Sequence, residues 1–267
     1  MASRLELPEE QLRRLYVEEG LPSTVIAQRL GCHPLTVRAR LKDYGISLRP
    51  RGSHRLRRHV PDSLLSAWPT PRLAYAVGLL ASDGNLPKRN NCAVLTTTDA
   101  ELAQLFRTAL ELPTAHIVEI PPRPPRKRVY IVQVCDHVFR EFLALRGLTP
   151  AKTLNIKALD IPDQVFADFL RGELDGDGGW VITRGWRDFK YLIGKFTSKS
   201  PHYLEWLRVT IARLTGLEGV LSGHALVFNG QKAESLGAWL YREPGDYCLA
   251  RKRKVWSTWM ATKETKK

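Results

Sequence analysis

Apolar positions first recur at helical spacing over residues 8–46. Leu12, Leu15 and Tyr16 mark one side of a predicted helix that stops near Gly20. A second helix starts at Pro22-Ser23, with Ser23 as its cap, and carries Val25, Ile26 and Leu30. A third, over 34–44, buries Val37 and Leu41 and presents Thr36, Arg38, Ala39 and Lys42. Between them Ala27 permits a tight helix crossing and Gly31 makes the turn. Residues 47–71 then lose all periodicity. Their Pro, Gly and Ser content reads as a linker, with a helical turn near 63–68.

From 72 onward the pattern is written twice. An apolar helical run (74–84) leads to an alternating, β-prone stretch (92–97), after which Asp99 caps a helix that turns Leu102, Leu105, Phe106 and Leu110 inward. Strands at 116–120 and 129–134 and a helix at 137–146 complete the half. The second half repeats this order: a helical run at 166–178, strands at 180–183 and 191–197, and Ser200 capping a helix with Tyr203, Trp206, Leu207 and Ile211 inward. Short strands at 219–222 and 225–228 follow, then a helix at 233–241. Each half thus predicts the order αββαββα, an internal repeat within an α+β architecture. The expected divisions are 1–46, a linker 47–71, a first half 72–147, a connection 148–162, a second half 163–258 and a disordered tail 259–267. Counting by twos along the strands puts Trp180 and Ile182 inward. Val94, Thr96, Val181, Thr183, Lys195 and Thr197 then point outward.

Charge turns this architecture towards a partner. Lys and Arg number 41 against 27 Asp and Glu, a net charge of +14 over 267 residues, which points to polyanions and first to nucleic acid. No long apolar run suggests a membrane. The N-terminus has neither signal-peptide nor transit-peptide character, so an intracellular, cytoplasmic protein is expected. Cys32, Cys92, Cys135 and Cys248 lie far apart without a C-x-x-C pair, which argues against zinc and against a disulfide framework.

The two helical runs end alike, in Asp83-Gly84 and Asp177-Gly178. Gly78 and Gly172 are small enough for two helix backbones to touch, which would bring the two acids together. The closing glycines are expected to stop each helix in the left-handed conformation. An acid near the negative end of a helix needs an offsetting cation, and a divalent ion is the natural one. The segments AVGLLASDG (76–84) and LRGELDGDG (170–178) resemble the paired signature motifs of the LAGLIDADG homing endonucleases. The first departs from the signature at Ala81, where the second has Asp175; a capping or interface role is expected for Asp175. The N-terminal pattern resembles the helix-turn-helix of bacterial regulators, with a purely structural three-helix appendage as the alternative.

The LAGLIDADG resemblance implies two pseudo-symmetric halves forming a DNA-binding saddle, and a monomeric, metal-dependent enzyme of intron-mobility type. It would cut both strands of a long asymmetric site and leave short 3′ overhangs. By the same resemblance Asp83 and Asp177 are metal ligands, joined by the carbonyls of Ser82 and Gly176. Mg2+ is the expected ion, with Mn2+ or Ca2+ as substitutes in binding. Lys152 and Lys252 correspond to basic residues at the edge of each active site, and Thr97 and Ser198 to polar residues that order solvent. Candidates for DNA contact are Thr36, Arg38 and Lys42 on the third helix and Arg49, Arg51 and Arg55 in the linker. Thr96, Arg126, Lys127, Arg128, Thr183, Arg187, Lys195 and Thr197 are their counterparts in the two halves. The competing reading is the same fold with catalysis lost: a DNA-binding regulator or an RNA-splicing cofactor.

Overall fold

A computed structural model describes residues 7–48, 60–113, 115–185, 189–243 and 247–264. The chain divides into two compact units, Met1–Arg57 and Arg58–Lys267.

In the first unit, α1 (Glu9–Arg13) runs on as a π-helical turn, Arg14–Glu18, and is followed by α2 (Ser23–Arg29) and α3 (Pro34–Asp43). Its separate core holds the expected residues, among them Leu12, Leu15, Tyr16, Ile26, Ala27, Val37 and Leu41. Gly31 makes the turn between α2 and α3 at φ +63°, where a side chain would be strained. Ser23 does not cap α2. It is the first helical residue, behind an extended Pro22, and its side chain makes no cap bond. The side-chain cap belongs instead to His33, whose Nδ1 accepts from the Leu35 amide at the start of α3.

The second unit is the repeat. Its first half comprises α5 (Pro71–Ser82), β1 (Gly84–Asn85), β2 (Cys92–Thr97), α6 (Ala100–Ala109), β3 (Ile117–Ile120), β4 (Val129–Cys135) and α7 (His137–Leu145). The second half comprises α9 (Phe166–Asp175), β5 (Gly179–Arg184), β6 (Lys190–Thr197), α10 (Pro201–Thr215), β7 (Val220–Ser222), β8 (Ala225–Asn229) and α11 (Gln231–Leu240). Both show the αββαββα order expected of the repeat, although β1 replaces the end of the predicted 74–84 helix and was not among the strands read from the sequence. Both sheets are antiparallel with matching strand orders, β1-β2-β4-β3 and β5-β6-β8-β7. Asp99 and Ser200 cap α6 and α10 as expected. The two halves share one core, in which Tyr75, Phe166, Phe169 and Leu80 are fully buried.

Several expectations change. Part of the supposed linker belongs to this core: Val60 and Leu64, the latter on α4 (Asp62–Ser66), are buried, and the Val60 amide donates to Asp136 Oδ2 at 3.0 Å. The tail is not disordered from residue 259. Helix α12 (Ala250–Glu264) runs through it, because Trp256 and Trp259 pack on the core and Lys263 pairs with Glu234 at 2.7 Å. Ile182 is 42% exposed rather than inward, because the core covers this face of β5 at Trp180, 6% exposed, and does not extend to the strand's far end. Cys92 and Cys135 form a disulfide, contrary to the sequence expectation. They are register partners across β2 and β4, a proximity that their separation along the chain conceals. Cys32 and Cys248 are free thiols.

Gly84 and Gly178 do not take the left-handed conformation. They are needed for close approach: a Cβ on Gly84 would lie 2.4 Å from the Leu80 carbonyl oxygen, and one on Gly178 would lie 2.8 Å from that of Lys195. No helix among the described residues is long and apolar enough to cross a membrane.

Candidate active site

Helices α5 and α9 meet through their small residues. A Cβ on Gly78 would fall 2.1 Å from the Phe169 carbonyl oxygen, and one on Gly172 would fall 2.2 Å from that of Tyr75. Only glycine allows backbones so close. The contact aligns the two helix ends, and the chain leaves each through an acid: Asp83 directly after α5, and Asp177 two residues beyond the end of α9.

The acids are near enough to perturb one another. Burial, then the charge and hydrogen bonding of Asp177, raise Asp83 to about 6. Two like charges held together disfavour double ionisation, and a cation between them would relieve the repulsion. Two hard carboxylate oxygens suit Mg2+, which keeps most of its waters and accepts few protein ligands. Among the described residues no three His, Cys, Asp or Glu side chains gather into a larger ligand set.

A lysine closes each helix end. Lys152 lies at the start of α8 (Lys152–Asn155), turned in by Ala151 at φ 59°, and donates from Nζ to the carbonyls of Ala81 and Ser82, each at 2.6 Å. Lys252, in the first turn of α12, donates to the carbonyls of Leu174 and Asp175 at 2.8 Å and of Gly176 and Gly178 at 2.9 Å. These contacts are pseudo-symmetric, each lysine capping the carbonyls at the end of one of the two paired helices. They also mean that the Ser82 and Gly176 carbonyls, expected as metal ligands, accept from an ammonium group. Each lysine places positive charge at the negative pole of a helix. Burial lowers both: Lys252 to about 8, and Lys152 against the opposing pull of Glu173.

Glu173 escaped the sequence reading. It is 2% exposed on α9, and its Oε1 accepts from the Tyr203 hydroxyl at 2.5 Å. Burial pushes it up to about 8, outweighing the Tyr203 bond and the charge of Lys152. A charged residue on the buried side of an apolar helix was the available signal. With Asp177, Lys152, Ser198 and His224 it lines a pocket of 320 Å³. Lys252 borders a second, more open depression with Lys195 and Gly179.

Asp175 has the interface role expected of it. Its Oδ2 accepts from the Tyr75 hydroxyl at 2.9 Å and the Leu249 amide at 2.6 Å, tying α9 to α5 and to the approach of α12. Burial nevertheless raises it to about 6.

Thr97 and Ser198 do local work. Thr97 is buried and its Oγ1 accepts from the Asp99 amide; Ser198 Oγ accepts from the Ser200 amide. Both shape the turns into the capped helices, although Ser198 also faces the pocket. Thr197 Oγ1 donates to the Asp177 carbonyl, so it buttresses the acid-bearing turn.

Of the residues expected to meet DNA, Thr36 and Lys42 are exposed on α3 and Arg38 is half-buried. Thr96 and Lys195 are exposed and Thr183 half-buried on the open faces of their sheets. Arg126 and Lys127 are exposed in the turn between β3 and β4, where the Arg123 and Arg126 backbones pair. Arg128 is held by an ion pair with Glu119, which offsets its charge. Arg49, Arg51, Arg55 and Arg187 lie outside the described residues.

The two crossed helices, the paired sheets and the twin acids define a protein of the LAGLIDADG two-half saddle fold. Among solved structures, the LAGLIDADG meganuclease I-AabMI bound to uncleaved DNA is similar at a TM-score of 0.51 and 10% identity, over 73% of this chain and 91% of that one. The homing endonuclease I-WcaI bound to its DNA recognition sequence is similar at 0.48 and 12%, over 73% and 90%. Full-length DUF199/WhiA from Thermatoga maritima is similar at 0.44 and 10%, over 78% of this chain and 66% of that one. No family model and no curated protein matches the sequence.

Proposed function

We propose that this chain is a site-specific, metal-dependent endonuclease that cuts both strands of duplex DNA at a long asymmetric site and leaves short 3′ overhangs. The observation that carries the reading is the convergence of Asp83 and Asp177 at the crossed ends of α5 and α9. A divalent ion there would supply an activated water and neutralise charge on the phosphate. Asp83 and Asp177 would hold it. Lys152 and Lys252 keep the helix ends closed and set positive charge beside the acids. One chain brings both acids, so a monomer suffices. The sheets differ in sequence between halves, so an asymmetric target suits them better than a palindrome. The helix-turn-helix-like unit and the basic segment after it would extend the phosphate contacts.

A second reading is a DNA-binding protein of the same fold that does not cut. On its side stand the Ser82 and Gly176 carbonyls, which accept from lysine ammonium groups. Incubation with a library of duplex sites and Mg2+, followed by sequencing of the ends, separates the two. Recurrent paired breaks support the enzyme, whereas sequence-selective retention without breaks supports the binder.

A further inference from the structure

The open faces of both sheets carry rows of exposed aliphatic side chains among their polar ones. In the first sheet one cross-strand row is Thr96, Ile131 and Val118, and the next pairs Val129 with Ile120. In the second sheet two adjacent rows are Val181, Ile193 and Asn229, then Lys195, Val227 and Val220, flanked on the same face by Thr183 with Tyr191 and by Thr197, Ala225 and Ser222. These positions alternate with the buried faces formed by Leu95 and Val132 in one sheet and by Leu192, Phe196 and Phe228 in the other. They are accessible: Val118, Ile120, Val181 and Val220 are 43%, 44%, 43% and 60% exposed.

We propose that these faces recognise the 5-methyl groups of thymine in the major groove of duplex DNA, so that the target is specified by thymine positions in both half-sites. The inference rests on the DNA-binding reading above. Val and Ile can neither donate to nor accept from a base edge, and the thymine methyl is the apolar mark that the major groove offers. Three of the four aliphatic rows set these side chains beside a polar one, Thr96, Asn229 or Lys195, so a methyl contact and a hydrogen bond can fall on neighbouring bases. Charge selects the occupant. The chain carries +14, and exposed Arg123, Arg126 and Lys127 sit at the turn joining the two strands that bear Val118 and Ile131. A duplex would meet basic groups at the border of the aliphatic patch, whereas a second copy of so basic a chain would be repelled.

The test selects binding sites for the full chain from a randomised duplex pool in Ca2+ without Mg2+. The selected site is then rebuilt with 2′-deoxyuridine replacing each thymine in turn. Loss of one buried methyl is expected to weaken binding about fourfold at each contacted position. Val181→Ser and Ile193→Ser should abolish that sensitivity in one half-site and leave the salt dependence of binding intact. A selected site whose affinity is indifferent to every thymine-to-uracil change overturns the methyl reading while DNA binding stands. Failure to select any duplex overturns both. Self-association in sedimentation that Val118→Ser or Val220→Ser abolishes assigns the faces to a second copy and overturns the proposal as well.

Discussion

Gly78 and Gly172 stack with their Cα atoms so close that a Cβ on either would lie 3.0 Å from the other's Cα. That contact decides where both acids sit, because Asp83 and Asp177 follow at the ends of the same two helices. Gly172→Ala would already press a methyl 2.2 Å from the Tyr75 carbonyl oxygen, and Gly172→Leu would press more. A loss of about 1–3 kcal/mol is expected for the alanine variant, with cleavage reduced on the order of a hundredfold by misplaced acids. Thermal melts and single-turnover cleavage check this together. A Gly172→Leu protein that melts and cuts like the parent would mean that these glycines do not form the helix contact.

Asp177→Asn keeps the side-chain shape but removes the charge that the proposed metal site depends on. Cleavage of both strands should fall below detection while affinity for the selected duplex stays within about threefold, since phosphate contacts dominate binding. Gel shifts and cleavage assays on one preparation separate the two quantities. Full cleavage by this variant would sink the assignment of Asp177.

Glu173 predicts a pH dependence of stability. Its folded value, about 8, lies above its ordinary value of 4.5, so the folded state holds a proton that the unfolded chain releases. Stability contributed in this way is complete below pH 4.5 and is lost as pH rises towards 8. Asp83 and Asp175, each raised to about 6, act in the same direction at the lower end. The decline between pH 6 and 8 should therefore belong mainly to Glu173, with Tyr203, Lys152, Asp83 and Asp177 as the groups around it. Glu173→Gln should flatten that part of the curve in denaturant titrations, and an unchanged slope would show that Glu173 is ionised in the fold.

Lys252 lies within hydrogen-bond distance of four carbonyls at the end of α9, which its three N–H groups share, whereas Lys152 reaches two at the end of α5. Lys252→Met should therefore destabilise more than Lys152→Met, by about 1–3 kcal/mol for buried acceptors left unpaired. Urea midpoints of the two variants give the comparison. Equal losses would mean that water replaces the missing donors at both ends.

Removal of residues 1–57 leaves a unit with its own core. The truncated protein should keep its melting transition. Its DNA binding should weaken and depend less steeply on salt, because phosphate contacts from α3 and the basic segment are gone. An unchanged slope of log affinity against log salt would assign the first unit another role.

Much of this was legible in the chain itself. The repeat order followed from apolar spacing, with Asp99 and Ser200 placing the starts of α6 and α10. Asp83 and Asp177 were legible because small residues and a terminal acid recur together. Glu173 was not, since it is one of several charged residues along α9 and acquires its particular meaning only when Tyr203 arrives from α10. Thr97 and Ser198 were read by resemblance to LAGLIDADG endonuclease positions, whereas each hydroxyl engages the backbone amide of the cap residue two positions on.

By itself, then, the sequence determined what short-range physics controls: helical and strand periods, the Asp99 and Ser200 caps, the Gly31 turn, the duplication and the excess of positive charge. Tertiary structure decided what depends on residues distant in the chain. It joined Cys92 to Cys135 across two strands and drew Val60 out of the linker into the core. It gave Gly84 and Gly178 a packing role in place of a conformational one, and it held the last turns of α12 in helix through Glu234. It also set two lysines on helix-end carbonyls. The reason is common to all of these. Local preference is set by neighbours along the chain, while burial, pairing and close approach are set by neighbours in space, which the linear order does not name.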